Sequence, residues 1–189
     1  MKLKNLLFLC LSGMSLFLLS HPVLGADDQK NVKVVTISFN LHRIPGPGSN
    51  QMAVWIENEK GEYIRSVYAT KYTARGGYVR RPVSLSVWRS KASWEKASPE
   101  EIDAVSGSTL EAGIHTLTWD GKDKNGNLVP DGKYYVRIEA NILNEKKMFS
   151  ETIIEMGGRK QSVKGNITYS QEGLESGNQI FDNVLVEYK

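Results

Sequence analysis

The stretch WDGKDKNGNLVPDGKYYVRIEA, Trp119–Ala140, contains the strongest local signals for the fold. An apolar run ends at Trp119, a loop rich in Gly and Asn follows, and Pro130-Asp131-Gly132 turns the chain into a new strand. Alternate residues of that strand are apolar, which is the two-residue period of a half-buried strand. They are Tyr134, Val136, Ile138 and Ala140. We predict a hairpin whose loop Asp and Asn side chains cap their own backbone.

The carboxylates of this loop also invite comparison with a calcium site. With Asp123 at the first position of an EF-hand loop, the sixth position is Leu128 instead of Gly. The twelfth position is Tyr134 instead of Glu, so the pattern fails at both places that the geometry requires. The sequence therefore favours a self-capped loop over a metal site.

The same two-residue alternation recurs on both sides of this stretch. The predicted strands lie in Val34–Leu41, in two runs within Gln51–Ala69, and in Val83–Trp88, Ile114–Trp119, Met148–Glu155, Ser162–Tyr169 and Gln179–Tyr188. Short alternating strands separated by Gly, Asn and Pro are typical of an antiparallel sandwich. We predict an all-β fold, an antiparallel immunoglobulin-like β-sandwich with one short helix. Its predicted core includes Val35, Ile37, Phe39, Val136 and Ile138.

The one helical signal begins at Ser98. Ser98 is a capping residue, Pro99 takes the first helical position and Glu101 completes a capping box. We predict about two turns, ending at Val105. Gly107 then suits the left-handed residue that commonly follows a helix.

Residues 1–25 have the pattern of a secretory signal peptide. Lys2 and Lys4 precede an apolar run, Leu6–Leu19, that is shorter than a membrane span needs. No second apolar stretch follows, so we expect no transmembrane segment in the mature chain. We expect Cys10, the only cysteine, to be removed with the signal. The pattern predicts an exported, periplasmic protein with one β-sandwich domain, residues 26–189.

Charge narrows the range of partners. The chain has 24 basic and 21 acidic residues, and removal of Lys2 and Lys4 leaves a net charge of +1. A near-neutral chain is a poor binder of nucleic acid, and we predict no nucleic-acid partner. One stretch, Lys71–Lys96, has seven basic residues against Glu95 alone, together with four aromatic residues. It suits an anionic planar ligand such as a flavin nucleotide, or an acidic protein, and the alternative is a solvated loop with half-buried tryptophans.

Catalytic motifs are missing from the sequence. After the signal peptide the only histidines are His42 and His115, far apart in strand-like runs. Neither Gly-x-Ser-x-Gly nor His-Glu-x-x-His occurs, nor does a phosphate-cradling loop. The sequence favours a protein that is not an enzyme.

Several segments in order resemble one family. TISFNLHRIPG, MAVWIENEKGEYIRSV, ASPEEIDAVSGST and HTLTWDGKDKNGNLVPDGKYYVRIEA, between Val34 and about Gly158, are similar to predicted periplasmic proteins designated domain of unknown function 2271. The resemblance implies a periplasmic β-sandwich. The Trp-Asp-Gly and Pro-x-Gly-x-Tyr framework also resembles the immunoglobulin-like module of flagellar hook-capping proteins, but no other part of the chain does.

A second resemblance involves Asp103-x-x-Ser106-Gly107-x-Thr109. It is similar to the Asp-x-x-Ser/Thr-Gly-Ala-Thr motif of proteins that carry flavin mononucleotide (FMN) in phosphoester linkage, such as a periplasmic subunit of sodium-pumping quinone reductases. The resemblance implies that Thr109 accepts FMN, that Asp103, Ser106 and Gly107 belong to the same cofactor motif, and that a periplasmic flavin transferase recognises Asp103. The small residues Gly107 and Ser108 would let the chain enter the cleft of that enzyme. Ser108 stands where Ala is usual.

Two functional hypotheses follow. In the first, the protein is a periplasmic redox carrier with covalent FMN on Thr109 that exchanges electrons with membrane redox proteins. In the second, it is an immunoglobulin-like binding or assembly module of the cell envelope without a cofactor. The segment Asp103–Thr109 is then only the end of a helix and a turn.

Overall fold

The computed structural model describes residues 33–43, 49–142, 146–170 and 179–189, and the predicted signal peptide lies outside them. Ten strands within these residues form two sheets. They are β1 Val35–Leu41, β2 Gln51–Asn58, β3 Tyr63–Thr70, β4 Ser106–Gly107, β5 Gly113–Trp119, β6 Gly132–Ile142, β7 Lys146–Met156, β8 Gln161–Lys164, β9 Asn166–Tyr169 and β10 Phe181–Tyr188. The small sheet has the order β5-β1-β10-β8, and the large sheet β4-β3-β2-β6-β7-β9. The predicted all-β sandwich is confirmed.

The main core lies between the two sheets. The five residues predicted for it are each at most 1% exposed: Val35, Ile37, Phe39, Val136 and Ile138. They come from β1 of the small sheet and β6 of the large sheet, and they belong to one apolar cluster. The alternation in these two strands therefore identified the faces that meet.

The predicted hairpin in Trp119–Ala140 is wrong, although both of its strands exist. β5 pairs with β1 in the small sheet, whereas β6 pairs with β2 and β7 in the large sheet. The loop between them crosses from one sheet to the other. Across this crossing the rings of Trp119 and Tyr134 meet edge to face, with centroids 5.5 Å apart.

The predicted self-capping of this loop is confirmed. The Asp123 carboxylate accepts hydrogen bonds from the backbone N–H of Asn125 at 2.8 Å and of Asn127 at 2.9 Å. These bonds, that from Asn127 above all, lower the pKa of Asp123. The carboxylate thus fixes the loop by satisfying backbone donors.

The central strand of the large sheet, β2, is buried on both faces. Every residue of β2 from Gln51 to Glu57 is buried, because a helical layer covers the outer face of the sheet. Three short helices and two single turns of 3-10 helix form this layer. They are α1 Lys71–Ala74, α2 Ser86–Ala92, α3 Pro99–Val105, and the turns Gly77–Val79 and Trp94–Lys96. The single predicted helix is α3, where Ser98 Oγ accepts the N–H of Glu101 as the capping box requires.

The strand predicted at Val83–Trp88 is wrong, because this segment turns into α2. Leu85 and Trp88, three residues apart, are both fully buried against the large sheet. Three-residue spacing places them on one face of a helix. Over six residues the spacing of the apolar residues is compatible with both the two-residue period of a strand and the period of a helix. Contact with the sheet selects the helix.

The N-terminal cap of helix α2 comes from a side chain of the large sheet. Its N-cap position is Leu85, with a φ of 48°, and this residue has no side-chain acceptor. The carboxylate of the buried Glu139 in β6 instead accepts the N–H of Trp88 at 2.8 Å and of Val87 at 3.4 Å. Burial raises the pKa of Glu139, against the lowering effect of these hydrogen bonds.

Replacing Glu139 by Gln tests the consequence of this burial. Because the folded-state pKa lies above the ordinary value of 4.5, folding favours the protonated carboxyl group. Its contribution to the free energy of unfolding is full below about pH 4.5 and is lost as the pH rises through the folded pKa. We expect the wild type to lose stability relative to Glu139→Gln as the pH rises above about 4.5, measured by urea denaturation. The exposed control Glu155→Gln should show no such trend, and a pH-independent difference for Glu139→Gln would contradict the assignment.

Candidate functional site

The segment Asp103–Thr109 lies at an edge of the large sheet. β4 pairs with β3 in parallel, with Ser106 opposite Ala69 and Gly107 opposite Thr70. Parallel neighbours leave a sheet at the same end. Helix α1, which follows β3, and the segment Ser108–Ala112, which follows β4, therefore begin side by side.

The motif residues have distinct environments. Asp103 is exposed on α3, and its carboxylate forms an ion pair with Arg75 at 2.6 Å. Ser106 Oγ donates to the carbonyl oxygen of Ile102 at 2.5 Å, which closes the last turn of α3. Thr109 is exposed, outside the helices and strands, and its side chain forms no hydrogen bond to the described part of the chain.

The predicted role of Gly107 as a left-handed helix end is wrong. Gly107 lies in β4, its φ is not positive, and Ser106 caps α3 in extended conformation. Glycine is needed because a Cβ here would overlap the ring of Tyr68. The Tyr68 hydroxyl reaches past Gly107 and donates to the carbonyl oxygen of Ser108 at 2.6 Å. Burial raises the pKa of Tyr68, so the phenol stays protonated as this donor.

The chain is anchored again after Thr109. Leu110 packs against the main core, and His115 Nε2 lies 2.7 Å from the carbonyl oxygen of Glu111. Thr109 thus lies between two fixed residues, Ser108 and Leu110, and presents its hydroxyl to solvent. The second histidine, His42, lies 3.1 Å from Asp182.

The tryptophans of the stretch Lys71–Lys96 are not half buried, and this prediction is wrong. Trp88 and Trp94 are fully buried with ring centroids 4.4 Å apart. Trp88 Nε1 donates to Ser66 Oγ at 2.8 Å, and Trp94 Nε1 donates to the carbonyl oxygen of Ala74 at 2.9 Å. Both indoles cover the outer face of the large sheet, so neither is available to stack on a ligand.

The cations of this stretch divide into two groups. Arg89 is engaged, since it forms an ion pair with Glu95 at 2.8 Å and lies over the Tyr78 ring. Lys71 and Arg80 are exposed and form no ion pair with the described residues. Together with Arg75 they line an open depression of about 420 Å³ at the end of the sheet where Thr109 lies. The sequence showed the charge but not its place beside the motif.

Two further cavities lie elsewhere on the outer face of the large sheet. One, of about 330 Å³, is lined by Tyr63, whose hydroxyl is 2.9 Å from Ser66 Oγ and whose pKa burial raises to about 12. The other, of about 350 Å³, contains the buried Glu57. Its carboxylate accepts hydrogen bonds from Trp55 Nε1 at 2.8 Å and Arg137 Nε at 3.3 Å. The Tyr63 hydroxyl and the Glu57 carboxylate therefore both have hydrogen-bond partners within the protein.

Across the described residues, no group of three or more His, Cys, Asp or Glu side chains is placed to hold a metal ion. In the same part of the chain no helix is long and apolar enough to cross a membrane.

Two packed sheets, a helical layer on one of them and an exposed threonine motif at its edge define a β-sandwich protein with an accessory helical cover. The chain belongs to the family described as predicted periplasmic protein (DUF2271), whose model matches residues 34–171. The predicted family is therefore confirmed.

Similarity to curated proteins is local. A segment of 32 residues is 53% identical to the basal-body rod modification protein FlgD of Salmonella typhimurium, and equally to that of Salmonella typhi. The match covers 17% of this chain and 14% of either relative. No solved structure matches the chain.

Substitution of Gly107 by Ala tests the contact with Tyr68. We expect the added methyl to lower the free energy of unfolding by about 1–3 kcal/mol through overpacking, measured by chemical denaturation. In a Tyr68→Leu background the same change should cost much less, because the ring is gone. Gly158→Ala is the matched control, since a Cβ there meets only ordinary van der Waals contacts. A cost that persists without the ring would show that backbone conformation, not the ring, requires glycine.

Proposed function

We propose that the protein is a periplasmic electron carrier whose FMN is joined to Thr109 by a phosphoester bond. The observation that carries the proposal is the position of Thr109. Its hydroxyl is exposed and unbonded within the described residues, while Tyr68 fixes Ser108 before it and Leu110 is packed after it. A transferase can reach such a hydroxyl without unfolding the sandwich.

Attachment requires an external enzyme, because an exposed alcohol is a poor nucleophile at neutral pH. Thr109 Oγ1 forms a bond to the flavin-proximal phosphorus of a flavin dinucleotide and gives up its proton. The pyrophosphate bond breaks, and adenylate leaves. The chain therefore gains FMN less one water, and no electron is transferred in this step.

The surroundings of Thr109 are compatible with the attached group. A phosphoester keeps a negative charge, and Lys71, Arg75 and Arg80 lie at the same end of the large sheet. Bound flavin would supply the electron-transfer chemistry. The protein would hold the phosphate near these cations and exchange electrons with membrane redox proteins.

Asp103 takes the role of a recognition residue for the transferase. Its ion pair with Arg75 is solvent-exposed, with side chains 66% and 50% exposed, so it contributes little to stability. The carboxylate is therefore available to another protein at small cost. It stands near the C-terminal end of α3, one helical turn before Ser106.

Replacement of Thr109 by Val tests the acceptor. The wild type, co-expressed with a periplasmic flavin transferase in a host that flavinylates a control substrate, should be yellow after denaturation. Its intact mass should rise by FMN less one water. Thr109→Val should remove both signals while keeping the fold, and Thr118→Val, an exposed threonine on β5, should keep both. Unmodified wild-type protein under these conditions would refute the proposal.

Comparison of Asp103→Ala with Arg75→Ala tests whether the transferase recognises the Asp103 carboxylate itself or requires the ion pair that positions it. We expect Asp103→Ala to slow flavin transfer, measured as the modified fraction in a time course with purified transferase. Arg75→Ala breaks the same ion pair and removes one cation but leaves the carboxylate, so transfer should slow less than in Asp103→Ala. An equal loss in both variants would mean that the ion pair, and not the carboxylate, is required.

A binding or assembly module without cofactor is the second candidate. The local likeness to the basal-body rod modification protein FlgD favours it, although the match covers 14% of that protein. An unmodified wild type in the experiment above would leave this candidate standing.

A further inference from the structure

The turn that follows β3 concentrates positive charge. Residues 71–81 include Lys71, Arg75, Arg80 and Arg81 and no acidic residue. The chain that follows the predicted signal peptide has a net charge of +1, so its other residues together carry a net charge of −3. Such segregation creates a local positive field that a near-neutral protein would not otherwise have.

This turn is firmly built. Thr73 Oγ1 donates to Gln51 Oε1 of β2 at 2.8 Å, and Trp94 holds the carbonyl oxygen of Ala74. Gly76 has a φ of 93°, and a Cβ on Gly77 would overlap Tyr72. Backbone hydrogen bonds from Val79 to Gly76 at 3.0 Å and from Arg80 to Gly77 at 3.1 Å close the 3-10 turn. These hydrogen bonds therefore hold the backbone that carries the cations in one conformation.

Two exposed apolar side chains lie among these cations. Val79 is 78% exposed and Tyr72 is 38% exposed, which places both among the exposed large apolar residues of the described chain. Lys71 and Arg80 are exposed around them without ion pairs to described residues, and Arg75 shares its charge with Asp103. We call these five residues, Lys71, Tyr72, Arg75, Val79 and Arg80, the α1 surface.

We infer that the α1 surface docks an acidic face of a protein partner. Exposed apolar side chains surrounded by unpaired charge suit a small, transient interface in which charge steers the encounter. A protein face fits better than a membrane surface. α1 has only four residues, and a single Val and a single Tyr do not make the amphipathic helix that lies in a bilayer interface.

The position of the α1 surface directs the partner toward Thr109. Thr70, which precedes α1, is opposite Gly107, and the two residues beyond Gly107 can span at most about 7 Å. Thr109 is therefore within about one Debye length of the end of β3 at physiological ionic strength. That the docked partner exchanges electrons with a flavin at Thr109 rests on the proposed function, whereas the docking itself does not.

Titration of the unmodified, isotope-labelled mature protein with a short oligo-glutamate peptide tests the docking. We expect the amide NMR signals of residues 71–81 and 108–110 to shift, and the shifts to vanish in about 0.5 M salt. The double variant Lys71→Glu with Arg80→Glu should bind the peptide about tenfold more weakly, since two attractions become repulsions. The matched control, Arg159→Glu with Lys160→Glu on the exposed β7–β8 turn, has the same net charge and should bind as the wild type does.

Three results would overturn the inference. They are shifts that map elsewhere, equal weakening in both double variants, and co-sedimentation with phosphatidylglycerol vesicles in place of peptide binding. The last result would assign the surface to a membrane. Because the protein carries no flavin in this experiment, its outcome is independent of whether Thr109 is modified.

Discussion

The buried pair Trp88–Trp94 on the outer face of the large sheet is the contact on which the rest of the structure depends. The central strand β2 is apolar on both sides, with Ala53 and Trp55 facing away from the sandwich core. Left uncovered, that face would expose a large apolar patch. The two indoles and Leu85 cover it and so require a helical layer between β3 and β5. The carboxylate of Glu139, in the sheet beneath, accepts a backbone N–H at the N-terminus of α2. This bond fixes the position of the helical layer on the sheet.

The layer also brings the chain back to the sheet. α3 ends at Val105, which packs in the same cluster as the tryptophans, and the next two residues pair with the end of β3. Glycine follows Ser106 here because a side chain would overlap the ring of Tyr68. The tyrosine then holds Ser108 through its hydroxyl. The exposure of Thr109 is thus a result of packing beneath it and not of a loose loop.

The parallel pairing of β3 and β4 joins two features that are far apart in sequence. α1 and its cations follow one strand, and Thr109 follows the other, so both emerge at the same end of the sheet. A negatively charged group on Thr109 and an acidic partner would both meet the field of these cations. The Asp103–Arg75 ion pair connects the two segments directly. This arrangement is compatible with the proposed carrier, in which FMN on Thr109 would lie near the surface proposed to dock a partner.

The sequence by itself determined most strands, the inward faces of β1 and β6, the capped start of α3 and the family. These features are encoded locally, in a two-residue period or in a few consecutive residues. Through a motif it also led to the proposal for Thr109, but it did not reveal the environment of that residue. Only the tertiary structure decided that β5 and β6 belong to different sheets, that Val83–Trp88 is helical and that Trp88 and Trp94 are buried. It also showed why residue 107 is glycine, since a side chain there would overlap the ring of Tyr68. The periodicity of a strand shows which of its faces is apolar. Which element covers that face depends on contacts between residues that are distant in the chain, and a local sequence pattern does not contain those contacts.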